Sequence, residues 1–198
     1  MSVAITDTVD SRVPISAEDL LALSNEKDYE LVNGQLVEHH LGFESSHIAG
    51  QLFGFLFLFF NQHGKLGWIQ IADCGYLLPL PGNNTVRKPD VSFVSFQKLP
   101  AAGGFPSGYP AIAPDLAVEI VSPNDSAYEV ETKINEYLQA GVRLVWIINP
   151  AGRSVQIYRQ DGTFARRLET EELDGEDVLP GFRCSISRLL EIPQPGNS

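Results

Sequence analysis

Apolar residues in this chain fall into three kinds of run, and each kind predicts a different element. Alternation is the first. Tyr29 to His39 alternates around Asn33-Gly34, a pair that supplies the two positive-φ positions of a type I′ turn, and so predicts a β-hairpin. That turn sets Leu31 opposite Leu36 and Glu30 opposite Val37, so Glu30 shares an apolar face with Val32 and Val37 and is partly desolvated. Ser154–Arg159 and Thr163–Leu168 form a second hairpin around Asp161-Gly162. Continuous apolar runs are the second kind. Gly67–Leu78, Val86–Ser95, Leu116–Val121 and Val142–Asn149 read as strands. In Leu116–Val121 both faces are apolar apart from Glu119, as in a central strand covered on both sides.

The third kind has helical spacing. Val130, Ile134, Tyr137 and Leu138 form one stripe of a helix that starts at Ser126, is boxed by Glu129 and stops at Gly141. Ser16 with Asp19 predicts a short helix through Leu20, Leu21 and Leu23. The stretch Ile48–Phe60 is apolar nearly all round and predicts a buried helix from Ser46 to Gln62, ended by Gly64. It is too short to span a bilayer and polar residues bracket it, so a membrane is not expected as a partner. Residues 97–113, rich in Gly, Pro and Ala, read as a long loop.

These elements give an α/β (α+β) fold, a central mixed β-sheet flanked by helices, with β-hairpins. The strand–helix–strand unit from Leu116 to Asn149 is expected to be a right-handed parallel crossover. Residues 14–192 read as one domain, with loose tails at 1–13 and 193–198. Cys74 and Cys184 lack metal spacing and read as free thiols of a reducing cytoplasm. The formal net charge is -11, which argues against tight non-specific DNA binding. Much of the acidity lies in Glu169–Asp177, expected to be a solvated loop remote from any site.

Candidate chemistry sits in the strands. A carboxylate in an apolar strand is costly unless it is paired or binds a cation. Asp90, after Pro89, could be a metal ligand or a strand-start residue bonding a loop amide. Glu119 could be a second ligand or the partner of Arg87, Lys88 or Arg143. Oxygen ligands of this kind suit Mg²⁺ or Mn²⁺. Lys133 borders the buried face of its helix and could support water or transition-state charge; an i,i+4 pair with Glu129 is the plainer reading. Glu30 could complete the metal shell. His47 could touch a phosphate, or cap and pack its helix. Asp115 lies roughly 13 Å from Glu119, too far for one ion. Tyr137, one turn after Lys133, could orient it, but core packing is favoured.

Tyr29-Glu30-Leu31-Val32-Asn33-Gly34, His47, Pro89-Asp90-Val91, Pro114 to Pro123 with Glu119, then Lys133, Tyr137, Ala140-Gly141-Val142 and Trp146, in this order, resemble the Uma2 family of the PD-(D/E)XK nuclease superfamily. The resemblance runs from about Ser16 to Leu190. It implies a restriction-endonuclease-like core and a Mg²⁺-dependent DNA endonuclease, with Asp90 and Glu119 on the metal and Lys133 assisting. The superfamily's usual lysine, two residues after the acid, is here Val121. The Uma2-like pattern moves it to the next helix, at Lys133. Cleaving both strands takes two sites, so a homodimer is expected on function. The rival reading is a nuclease-fold interaction module without significant catalysis, motivated by the acidic balance and the displaced lysine.

Overall fold

The computed structural model describes residues 14–39, 42–82, 84–99 and 105–193. The tail expected at 1–13 lies outside the described residues, as do all but the first residue of the tail expected at 193–198 and part of the expected 97–113 loop.

Ser16 caps α1 (Ala17–Ala22) in a capping box with Asp19. The first hairpin is β1 (Tyr29–Val32) and β2 (Gln35–Glu38), in the expected register with Leu31 opposite Leu36 and Glu30 opposite Val37. Asn33 and Gly34 both take positive φ, at 51° and 80°. A Cβ at Gly34 would stand 2.7 Å from that of Pro14, so only glycine fits where the chain entrance crosses this turn.

Next come α2 (Phe43–His63), β3 (Gly67–Ile71), β4 (Tyr76–Leu77), β5 (Val86–Arg87) and β6 (Val91–Ser95). Two expected strands are therefore divided. Val86–Ser95 breaks at Pro89, which has no N–H for a ladder. Its first piece, β5, joins a four-stranded sheet in the order β2-β1-β5-β4, and its second, β6, joins a six-stranded one. Residues 88–90 are the strap between the two sheets.

The larger sheet is completed by β7 (Leu116–Ile120), β8 (Leu144–Asn149), β9 (Ser154–Arg159) and β10 (Phe164–Leu168), in the order β10-β9-β8-β7-β6-β3. It is mixed: β7 and β8 run parallel through α3 (Ala127–Ala140), and its other pairs are antiparallel. One face of this sheet buries Val118, Ile120, Trp146 and Ile148 against Leu52, Leu56 and Phe60 of α2. The other buries Ala117, Val145 and Ile147 against Ile134 and Tyr137 of α3. Helix α2 is long and apolar enough to cross a membrane by length and composition, yet one of its faces belongs to this core.

The acidic run is not a solvated loop. It forms β11 (Glu172–Asp174), paired with β12 (Arg183–Ser185), and leads to α4 (Ile186–Leu189). Leu173 is fully buried, while Arg183, Arg143 and Arg159 bind Asp174, Asp177 and Glu176. One apolar residue among six acids was too little alternation to show a strand in the sequence.

Candidate active site

The site gathers where the two sheets and α3 meet. Its geometry follows from strand register. Val91 of β6 lies opposite Val118 of β7, so Asp90, just before β6, sits beside the end of β7 and lines the same cavity as Glu119. Asp90 Oδ2 accepts the Ile120 N–H at 2.6 Å, which ties the strap to the end of β7. Both carboxylates are buried, at 5% and 7% exposure. Burial, then the neighbouring Glu119 charge, push the Asp90 carboxyl up to about 7.

Lys133 reaches this pair from α3. Its Nζ lies 2.8 Å from Glu119 Oε2 and 3.5 Å from Glu30 Oε2. The plainer pairing with Glu129 does not form, because the Glu129 carboxylate accepts the Ser126 N–H and O–H in the capping box. Burial opposes the Lys133 charge, but Glu119 and Glu30 more than offset it and raise its pKa, so the amine stays protonated. Tyr137, one turn on, donates its hydroxyl to Glu119 Oε1 at 2.6 Å. Core packing was the favoured expectation for Tyr137. It is fully buried, as that reading required, but its hydroxyl also holds the acid in place.

Glu30 enters from the smaller sheet. Its Oε2 accepts from Arg87 Nη1 at 2.8 Å and its Oε1 from the Lys88 N–H at 2.7 Å. Burial pushes this carboxyl up, but Lys133 and Arg87 outweigh it and hold it down at about 2. Arg87 Nε also donates to Glu136 of α3 at 2.6 Å. Of the partners considered for Glu119, Arg87 thus serves Glu30 and Glu136, Lys88 binds Glu26, and Arg143 binds Asp177. Asp115 lies apart, bonded to the Ser95 N–H and Lys98.

Glu30, Asp90, Glu119 and Lys133 line a cavity of about 310 Å³. A sequence model of the Uma2 family, described as "Putative restriction endonuclease", matches residues 17–187. The chain belongs to the Uma2 family. A crystal structure of "a putative nuclease belonging to DUF820 from Anabaena variabilis ATCC 29413" superposes on this Uma2 protein with a TM-score of 0.76 and 20% identity, covering 89% of this chain and 98% of the other. At that identity the likeness bears on the fold. No curated protein sequence matches the chain.

His47 is not in the cavity of this Uma2 protein. Its Nε2 lies 3.3 Å from the Glu191 carbonyl and 3.2 Å from Gln51 Nε2, beside the C-terminal segment. The helix explains the miss: Ser45 lines the cavity, and two residues further on is about 200° around the helix. The histidine that does line the cavity is His39. Its Nε2 is buried without a hydrogen-bond partner among the described residues, and burial lowers its pKa, so the ring is held neutral. Nothing in the hairpin pattern distinguished it from His40.

Do these residues suit a divalent cation? Four carboxylates (Glu30, Asp90, Glu119 and Glu136) face two cations, Arg87 and Lys133. The cluster is short of positive charge, and the Glu119 charge adds to burial in raising the Asp90 carboxyl. Asp90 Oδ1 has no hydrogen bond among the described residues. Among those residues no group of three His, Cys, Asp or Glu is arranged as a ready-made metal cluster. Mg²⁺ fits such a site, because it is often held by one or two carboxylates, with water and phosphate filling the rest. Asp90 and Glu119 would be those two.

Proposed function

We propose that this Uma2 protein is a metal-dependent DNA endonuclease, with Asp90 and Glu119 holding Mg²⁺ or Mn²⁺ and Lys133 assisting. The observation that carries the reading is that Asp90 and Glu119 line one cavity, with a protonated lysine amine 2.8 Å from the second acid. When bound, the cation would supply Lewis-acid stabilisation of the charge that builds on the scissile phosphodiester. The chain's own residues do the rest. Lys133 remains charged and so acts as a hydrogen-bond donor and electrostatic stabiliser, not as a base. Tyr137 fixes the rotamer of Glu119. Glu30 holds Arg87 and adds its charge beside Lys133. The working unit spans 14–192, and the free thiols Cys74 and Cys184 suit a cytoplasmic setting. A dimer goes with this reading if both strands of a duplex are cut.

The test is cleavage of supercoiled plasmid and of short single-stranded DNA in Mg²⁺ or Mn²⁺, wild type against Glu119→Ala. Cleavage by the wild type, lost by at least about a hundredfold in a folded Glu119→Ala protein, is expected. Equal cleavage by both would refute the site. One observation favours the rival interaction module: both Glu119 oxygens are already engaged, by Lys133 and Tyr137. That module predicts no cation-linked stabilisation. A rise in melting temperature with Mn²⁺ that disappears in Glu119→Ala decides against it.

A further inference from the structure

The mouth of the cavity is chemically unlike a duplex-binding surface. Glu38, Asp125 and Glu129 line it and are exposed. Among the described residues, the lysine and arginine side chains lining it, Lys133 and Arg87, are largely buried and bonded to carboxylates. Duplex binding draws on several Lys or Arg side chains that neutralise phosphates along both strands. Here the same approach would set two phosphate backbones against exposed carboxylates.

One feature of the mouth can attract a nucleic acid without cationic charge. Tyr128, in the first turn of α3, lines the cavity and is 80% exposed. A tyrosine ring left this open forgoes the burial that aromatic side chains ordinarily gain. Its neighbours in the lining include Ser122, Asn124 and Thr132, neutral hydrogen-bonding side chains that suit base edges and sugars. Single strands are bound by stacking of unpaired bases on aromatic rings, a contact closed to a base inside a duplex.

We infer that the substrate is single-stranded DNA, with an unpaired base stacked on Tyr128 while the adjoining phosphate enters the cavity. This rests on the nuclease reading above and narrows its substrate. It also needs one site per cut, and so no second subunit.

Fluorescence anisotropy in Mg²⁺ tests it, using labelled oligothymidylate and a hairpin duplex of equal charge on a Glu119→Gln background that holds the substrate uncut. The single strand is expected to bind roughly tenfold tighter than the duplex. Tyr128→Ala is expected to weaken single-strand binding roughly tenfold, and Tyr128→Trp to keep it, since stacking needs a ring and not a hydroxyl. An unchanged melting temperature in both variants excludes misfolding, because the side chain is exposed. Equal or tighter duplex binding, or full binding by Tyr128→Ala, overturns the inference. Glu119-dependent cleavage of duplex DNA alone would overturn it and leave the nuclease reading standing. Failure to bind or cut either form would end both.

Discussion

Glu30 and Asp90 are both buried carboxylates, and their surroundings drive them in opposite directions. Asp90 is pushed up to about 7 by burial and by Glu119, so it costs stability as pH rises from the ordinary carboxylate range towards neutrality. Glu30 is held down at about 2 against an ordinary value of 4.5. A depressed carboxyl stabilises the fold above its unfolded value, and that stability is lost as pH falls through the folded one. The Glu30 contribution is therefore complete above about 4.5 and lost towards about 2. In urea unfolding, Glu30→Gln is expected to cost about 2 kcal/mol at pH 7, because buried Arg87 and Lys133 lose a carboxylate and Arg87 keeps only Glu136. The cost should shrink as pH falls through that window, and an equal cost at both ends would refute the coupling. The burial of Glu30 was legible from the hairpin register. Its partner was not, because Arg87 meets Glu30 only through the pairing of β1 with β5, and strand neighbours far apart in sequence leave no local pattern.

At the scale of elements, α3 was read almost to the residue. Its capping box, apolar stripe and C-terminal glycine are all local signals, and each recurs in the structure. The strap at 88–90 was misread as strand because its apolar flanks outweighed one proline. The displacement of the lysine to α3, proposed above, also belongs to the scale of elements. Only the amine needs to arrive, so strand or helix can deliver it. Val121 lies two residues past Glu119 and lines a small recess with Glu119 and Lys133. Lys133→Met is expected to lower cleavage roughly a hundredfold or more. Adding Val121→Lys should recover at least about tenfold of that loss. A folded double variant no more active than Lys133→Met would show that the helix supplies something besides the amine.

The whole molecule carries a formal charge of -11, the same sign as its proposed substrate. DNA-binding proteins with basic surfaces associate more slowly as salt rises. The opposite sign is expected here, because screening relieves repulsion. Association with oligothymidylate, followed by stopped flow at fixed Mg²⁺, should speed up as ionic strength goes from about 0.01 M to about 0.15 M, where the Debye length falls from about 30 to about 8 Å. A slowing would point to a basic docking surface away from the cavity mouth. The sheet class, the parallel pair and the helix over it were legible, since buried strands and amphipathic helices announce themselves by period. The division into two sheets was not, because it depends on which strands pair.

That division has a consequence for the life of the chain. The smaller sheet brings Glu30 and Arg87, the strap brings Asp90, β7 brings Glu119, and α3 brings Lys133 and Tyr137. A ribosome releases these in order, and the acid beside Asp90 emerges after the smaller sheet and the strap, with its lysine and tyrosine later still. A copy that stops before α3 therefore lacks the lysine and tyrosine of the cutting chemistry proposed here, and with them the geometry. On the proposed reading, the cutting site is complete only once translation has passed α3 and both sheets have closed on it.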